Sequence, residues 1–329
     1  MIVEDNKDKF PSKAFNLMKR REFLQHSLLG AAGSLLPWNT LAAAPVLSRS
    51  KGRKLTILHT NDTHSRIEPF PNDGSRNAGM GGAARRATLI SQIRQQEPNV
   101  LLLDSGDIFQ GTPYFNYFGG ELEFKLMSRM GYDAATLGNH DFDNGLEGLQ
   151  RQLPHAQFPF LIANYDFSRT DLKDRFQPFK VFDKAGLKVG VFGLGIELKG
   201  LVSDKNFGST VYHDPIATAR KMVSQLQTQH CDLIICLSHL GYRYDNDKVS
   251  DHTLAQQVDG IDLVLGGHTH TFLDQPTLLR SPSGREVVVN QVGWAGLRLG
   301  RIDFDFQPGG KQKKVTATSL LVGPEKYLG

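Results

Sequence analysis

Gly138-Asn139-His140-Asp141-Phe142-Asp143 follows the extended apolar run Ala134-Ala135-Thr136-Leu137, packing one amide, one imidazole and two carboxylates into six residues. A glycine after a strand lets the backbone bend sharply, so the polar side chains behind it emerge at the carboxyl end of a sheet. Open α/β folds keep their sites there. Taken alone, the stretch also fits an Asx-turn leading into a helix. The decision rests on whether other strands end the same way.

Four do. Leu55–Leu58 runs into His59-Thr60-Asn61-Asp62-Thr63-His64, and Val100–Leu103 into Asp104-Ser105-Gly106-Asp107. Leu233–Leu237 delivers Ser238-His239, and Ile261–Leu265 delivers Gly266-Gly267-His268-Thr269-His270. The five ends together hold Asp62, His64, Asp107, Asn139, His140, His239, His268 and His270, which include five of the eleven histidines. One histidine behind a strand says little, whereas five clusters in the same place describe a site.

Between these ends the chain alternates apolar extended runs with amphipathic helical patterns, which predicts an α/β layer architecture. Helices are expected over Ala83–Gln96, Glu121–Met130, Leu146–Leu153, from Pro215 to Gln227 behind an Asp214 cap, and over His252–Val258. Phe158–Ala163 is expected as a further strand, Phe179–Phe182 and Leu187–Gly193 as a hairpin, and Val287–Val292 and Arg301–Phe306 as closing strands. Arg66–Gly82, with two prolines and four glycines, reads as a long loop of the kind that usually serves function. The aromatic segment Phe109–Gly119 suits either the wall of a cleft or packing onto the core.

Composition narrows the classes. At 329 residues and 40% hydrophobic content the chain can bury a large core. A net charge of +4, part of it near the amino terminus, gives no indication of a nucleic-acid surface. Cys231 and Cys236 are the only cysteines, so neither a disulfide framework nor a thiolate metal site is indicated. Lys19-Arg20-Arg21-Glu22-Phe23-Leu24-Gln25 resembles a twin-arginine export motif. The short apolar stretch behind it predicts a signal and linker over residues 1–50, with cleavage within Thr40–Ala44. The protein is then expected outside the cytoplasm, periplasmic or extracellular, with no membrane span in its mature form.

Carboxylate, amide and imidazole together suit borderline or hard divalent ions. A carboxylate shared between two ligand sets can bridge two metals, and Asp107 is the natural bridge. Such a pair would acidify a shared water for in-line attack on a phosphoester.

Asp62-x-His64, Gly106-Asp107, Gly138-Asn139-His140-Asp141, the His239 cluster and Gly267-His268-Thr269-His270 stand in the order found in calcineurin-like metallophosphoesterases. With Leu58–His64, Asp104–Asp107 and Ala163-Asn164, the text over residues 54–308 resembles the 5′-nucleotidase and UDP-sugar hydrolase branch. The resemblance implies a four-layer αββα sandwich of two mixed sheets, with residues 51–329 as the catalytic domain. It implies two divalent ions (Zn, Mn, Fe, Co or Mg), one held by Asp62, His64, Asp107 and His270, the other by Asp107, Asn139, His239 and His268. Asn139 and His140 would face the phosphate of a nucleotide or related ester, with His140 as proton donor or charge stabiliser and Asp143 orienting its ring. Asp141 is left as a turn residue or one that supports the ligands from behind. Two-domain members carry a further carboxyl-terminal domain that contacts the nucleoside; here the sequence stops at Gly329, so a separately encoded partner is an expectation. Two other readings stay open: a non-catalytic exported subunit that docks such a partner, and a hydrolase of thioesters or other sulfur-linked esters.

Overall fold

The computed structural model describes residues 53–307 and 313–324. The twin-arginine segment and the boundary near residue 50 lie outside these residues. In chain order the elements begin with β1 (Arg53–Thr60), α1 (Ala83–Gln96), β2 (Val100–Asp104), α2 (Pro113–Phe118), α3 (Glu121–Met130) and β3 (Ala134–Ala135). There follow α4 (Gly145–Gln152), β4 (Tyr165–Asp166), β5 (Phe179–Lys184), β6 (Leu187–Leu194), α5 (Asp204–Phe207), β7 (Val211–Tyr212) and α6 (Pro215–Thr228). The remainder comprises β8 (Leu233–Ser238), α7 (Asp251–Gln257), β9 (Leu263–Leu265), β10 (Thr277–Arg280), β11 (Glu286–Asn290), β12 (Arg298–Phe306) and β13 (Lys313–Leu321).

Among the described residues these strands form a five-stranded sheet, β13-β12-β1-β2-β3, a six-stranded sheet, β10-β11-β9-β8-β6-β5, and a small β4-β7 pair. Both large sheets are mixed. In the first, β1, β2 and β3 run parallel while β12 and β13 are antiparallel additions. In the second, β6, β8, β9 and β11 run parallel and β5 and β10 close the edges antiparallel.

The period of two along each strand sorts side chains into layers. Leu55, Ile57, Leu101 and Leu103 from one sheet meet Val189, Val191, Leu233 and Ile235 from the other in a shared inner core. Leu58 and Leu102 point the opposite way, onto Ile90 and Ile93 of α1 and Phe124 and Met127 of α3. Ile234 and Cys236 likewise face Ala219, Met222 and Val223 of α6 and Leu254 of α7. The result is the expected four layers: helix, sheet, sheet, helix.

Several local expectations change. Phe158–Ala163 is not a strand but makes only isolated bridges, Ala135 to Phe160 and Leu161 to Gln177. The strand expected over Ala134–Leu137 pairs only at Ala134–Ala135. β13, which pairs with all of β12, was not anticipated, because Lys313, Lys314, Thr316 and Thr318 dilute its apolar pattern. The aromatic segment divides: Phe109 and Phe115 join the core, while Tyr117 and Phe118 are exposed. Both cysteines are free thiols. No helix among the described residues is long and apolar enough to cross a membrane.

One buried group ties the sheet to pH. His59 of β1 is fully buried and lies over Gly300 of β12, where a Cβ would come within 2.0 Å of its Nε2. Nε2 accepts from Asn290 Nδ2 at 2.9 Å, and Nδ1 has no partner. Burial pushes this imidazole down to about 3 from 6.5. Below pH 6.5 the unfolded chain therefore binds a proton that the folded chain refuses, and acid weakens the fold. Between pH 7 and pH 5 this contribution should fall by about 2 kcal/mol. Urea unfolding at both values should show the wild type losing about that much more than His59→Gln; equal losses would remove His59 as the cause.

Candidate metal centre

Parallel strands of both sheets end at one edge, and the loops after β1, β2, β3, β8 and β9 meet there. The side chains form two groups of possible ligands, each with atoms mutually within 4.8 Å: Asp62, His64 and His270, and Asp107, His239 and His268. The groups adjoin. Asp107 Oδ2 lies 3.1 Å from His239 Nε2 and 3.9 Å from His64 Nε2, so this carboxylate faces both. Asp62 Oδ1 is 3.4 Å from His270 Nε2 and 4.0 Å from both His64 Nε2 and His239 Nε2. Asn139 Oδ1 joins the second group at 2.8 Å from His268 Nδ1.

Hydrogen bonds turn ring lone pairs inward. His239 Nδ1 donates to the Ser105 carbonyl at 2.7 Å, and His64 Nδ1 donates to that of Phe109 at 3.2 Å. With Nδ1 carrying the proton, each Nε2 presents a lone pair to the centre. His64 Nε2 and His270 Nε2 approach each other to 2.9 Å, and the fully buried His239 Nε2 faces the Asp107 carboxylate. Ring nitrogens converging beside two buried carboxylates suit a cation between them. The residues therefore fit divalent metal ions.

The electrostatics agree. Burial lowers His64 and brings His268 down to about 4, which favours neutral, ligating imidazoles. Burial opposes ionisation of Asp107, yet His239, His64 and His140 outweigh it and hold the carboxyl well below its usual range. Burial also works against a charged His239, and Asp107 and Asp62 reverse this and raise it to about 10. The rise in His239 measures the negative field of the two carboxylates, which attracts a metal ion as readily as a proton.

The backbone is bent to aim these groups. Asp62, His64, Asp107, His268 and His270 all have positive φ, from 49° to 71°. Each non-glycine residue held there costs on the order of 1–3 kcal/mol, the kind of local strain that collects at functional sites. Gly138 acts differently from the sharp bend expected of it. Its φ is not positive; a Cβ there would lie 2.1 Å from Asp107 Oδ1 and 2.6 Å from His239 Cε1. The glycine is required for close approach to the centre.

His140 borders both groups without belonging to either. Its Nδ1 is 2.8 Å from Asp143 Oδ2, its backbone N–H donates to Asp107 Oδ1 at 2.8 Å, and its ring meets that of His64 edge-on at 5.3 Å. The hydrogen bond to Asp143 raises the pKa of the ring.

The sequence between residues 55 and 272 matches the calcineurin-like phosphoesterase family model. The chain belongs to that family. Rat 5′-nucleotidase is 36% identical over 304 residues, covering 85% of this chain and 52% of the rat protein. Human 5′-nucleotidase is 38% identical over 292 residues, covering 82% and 50% respectively. The crystal structure of a 5′-nucleotidase precursor from Thermus thermophilus superposes with a TM-score of 0.76 at 35% identity, covering 84% of this chain and 56% of that one. The chain thus spans about half the length of these relatives.

Two further residues hold the loops of this centre. Of the two roles left open for Asp141, the supporting one is found: its buried carboxylate accepts from the backbone N–H groups of Asp107, Ile108, Phe109 and Gly138 at 2.8–3.1 Å, lacing two ligand loops together. Gln291 pins a third loop, donating to Asp251 Oδ2 and the Gly267 carbonyl and accepting from the Thr271 N–H. Gln291 stands two residues after the buried run Val287–Val289, behind Asn290, and that polar pair at a buried strand's end was the available signal. Asp141→Ala would strand four buried donors and is expected to cost at least about 3 kcal/mol. Calorimetric unfolding should show this as a Tm lower by roughly 6–12 °C; an unchanged Tm would refute the lacing role.

Proposed function

We propose that residues 51–329 form the catalytic domain of a dinuclear metallophosphoesterase that hydrolyses 5′-nucleotides or related small phosphoesters. The observation that supports this most is the pairing of two adjoining ligand groups, linked through Asp107, with an imidazole that neither group uses. Asp62, His64, Asp107 and His270 would hold one divalent ion, and Asp107, Asn139, His239 and His268 the other. Ions bound there supply Lewis acidity, lowering the pKa of water and neutralising phosphate charge. The imidazole-rich, thiolate-free ligand set favours a transition metal such as Zn, Mn, Fe or Co over Mg.

The chain's own groups do the rest. Asn139 and His140 face the phosphate. With Nδ1 tied to Asp143, His140 presents Nε2 as the proton donor for the leaving oxygen, or as a positive charge against the phosphate. Asp143 fixes the ring's tautomer and stabilises its protonated form. Buried walls and Asp141 keep the loops in register, so little reorganisation is needed during reaction.

The nucleotide preference draws on the 5′-nucleotidase relatives. The sequence of residues 1–50 supports export by a twin-arginine route to the periplasm or the exterior. The decisive experiment is phosphate release from AMP by purified protein. Activity should vanish on chelation and return with Mn²⁺ or Zn²⁺; metal-loaded protein inert toward nucleotides, nucleotide sugars and an aryl phosphate would reject the function.

A further inference from the structure

His64 and His239 are each aimed by a hydrogen bond from Nδ1 to a backbone carbonyl, that of Phe109 and that of Ser105. A histidine that holds a metal is ordinarily fixed in this way. Among the described residues His270 has no such bond; its Nε2 approaches His64 and Asp62. Its side chain is also 39% exposed, against 9% for His64 and 0% for His239. Something else must aim this ring.

Trp294 is the neighbour that can. The two rings stack with centroids 5.8 Å apart and planes 11° from parallel. The indole is held on both sides along the chain. The Gly293 N–H donates to the Thr271 carbonyl at 2.9 Å, and the Gly293 carbonyl accepts from Asn61 Nδ2 at 2.6 Å. The Ala295 N–H donates to the Asp62 carbonyl at 2.7 Å. Phe70 meets the indole edge-on at 5.8 Å, and the Arg66 guanidinium lies 4.2 Å over the Phe70 ring. The backbone that carries Trp294 is therefore pinned to the loops that carry Asp62 and His270.

We propose that Trp294 is a positioning residue for His270. Its flat face confines the imidazole plane and keeps Nε2 turned toward Asp62 and His64. The inference rests on the two-ion reading, in which Asp62, His64, Asp107 and His270 share one ion. An exposed imidazole free to rotate must be ordered when that ion binds, which weakens binding. Affinity for this ion then depends on a side chain outside the ligand set.

Calorimetric titration of the metal-free full chain with Mn²⁺ tests this without turnover. The wild type should take up two ions, and His270→Ala identifies the one it helps to hold. Trp294→Ala should weaken that ion roughly 10–100-fold, the range for loss of a group that orients a ligating histidine, and leave the other unchanged. Trp294→Phe keeps a flat face and should recover most of the loss. Adding Trp294→Ala to His270→Ala should change nothing further, because both act through one ring. Equal weakening of both ions, or losses that add, would mark a merely structural role and overturn the proposal. If Trp294→Ala fails to fold, fluorescence serves instead. Trp38 and Trp294 are the chain's two tryptophans, so Trp38→Phe leaves Trp294 as the one reporter. Paramagnetic Mn²⁺ should quench its emission in the binding step that His270→Ala removes. Unchanged affinity in Trp294→Ala, or quenching indifferent to His270→Ala, would overturn the proposal while leaving a two-ion centre intact. Wild-type protein that takes up no Mn²⁺ would overturn both.

Discussion

Asp107→Ala should reduce AMP turnover by at least about 10³-fold and leave the protein unable to retain either metal ion at stoichiometry. Loss of one donor to a developing charge already costs about 10²–10³ in rate, and Asp107 faces both ligand groups, with Oδ2 3.1 Å from His239 and 3.9 Å from His64. Oδ1 also accepts from the His140 N–H, so the deletion loosens His140 too. Asp107→Asn keeps the shape and removes the charge; it should retain the fold while still losing metal. Metal analysis after gel filtration, alongside kcat, checks this. Full metal content in Asp107→Ala would show that the two groups are not coupled through this carboxylate.

His140→Ala should lower kcat by roughly 10²–10⁴-fold, the range for a positioned acid or base, while both metals stay bound. The distinction follows from position: His140 lies outside both ligand groups, and its ring is tied to Asp143 at 2.8 Å. A proton donor matters most when the leaving group is poor. The loss should therefore be larger for AMP than for an aryl phosphate whose phenolate leaves unaided. An equal loss for both esters would assign His140 to charge stabilisation, and unchanged turnover would remove it from the mechanism. Asp143→Asn should cost less, about tenfold, and add little to His140→Ala because both act through one ring.

Much of this centre was legible because buried strands are continuous apolar runs and parallel strands all release their loops at the same edge. Asp62, Asp107, Asn139, His239 and His268 each follow such a run, so their meeting could be anticipated from topology. The aim of the side chains could not. Positive φ at Asp62, His64, Asp107, His268 and His270 leaves no trace in hydrophobic periodicity. The purpose of Gly138 is likewise set by Asp107 and His239 from distant loops rather than by its own neighbours. Asp141 could be placed no more closely than as a turn or supporting residue, because four backbone donors from two loops define its role and backbone donors have no sequence signature.

The misread elements follow the same division. Phe158–Ala163 has a strand's composition, yet its Phe158, Phe160 and Ile162 serve the core under the helices. β13 opens on two lysines and carries few large apolar residues, which hid it, and β12 supplies its hydrogen-bonding partner along nine residues. In both cases tertiary packing overrides local preference. Trp294 lies between the two expected closing strands, with nothing in the sequence to join it to His270.

Anomalous diffraction from crystals of the full chain grown with Mn²⁺ is the most direct test of a two-ion centre. Two peaks are expected about 3.5–4 Å apart, one within Asp62, His64 and His270, the other within Asp107, His239 and His268, with Asp107 touching both and His140 touching neither. A single peak, or a peak coordinated by His140, would contradict the centre described above.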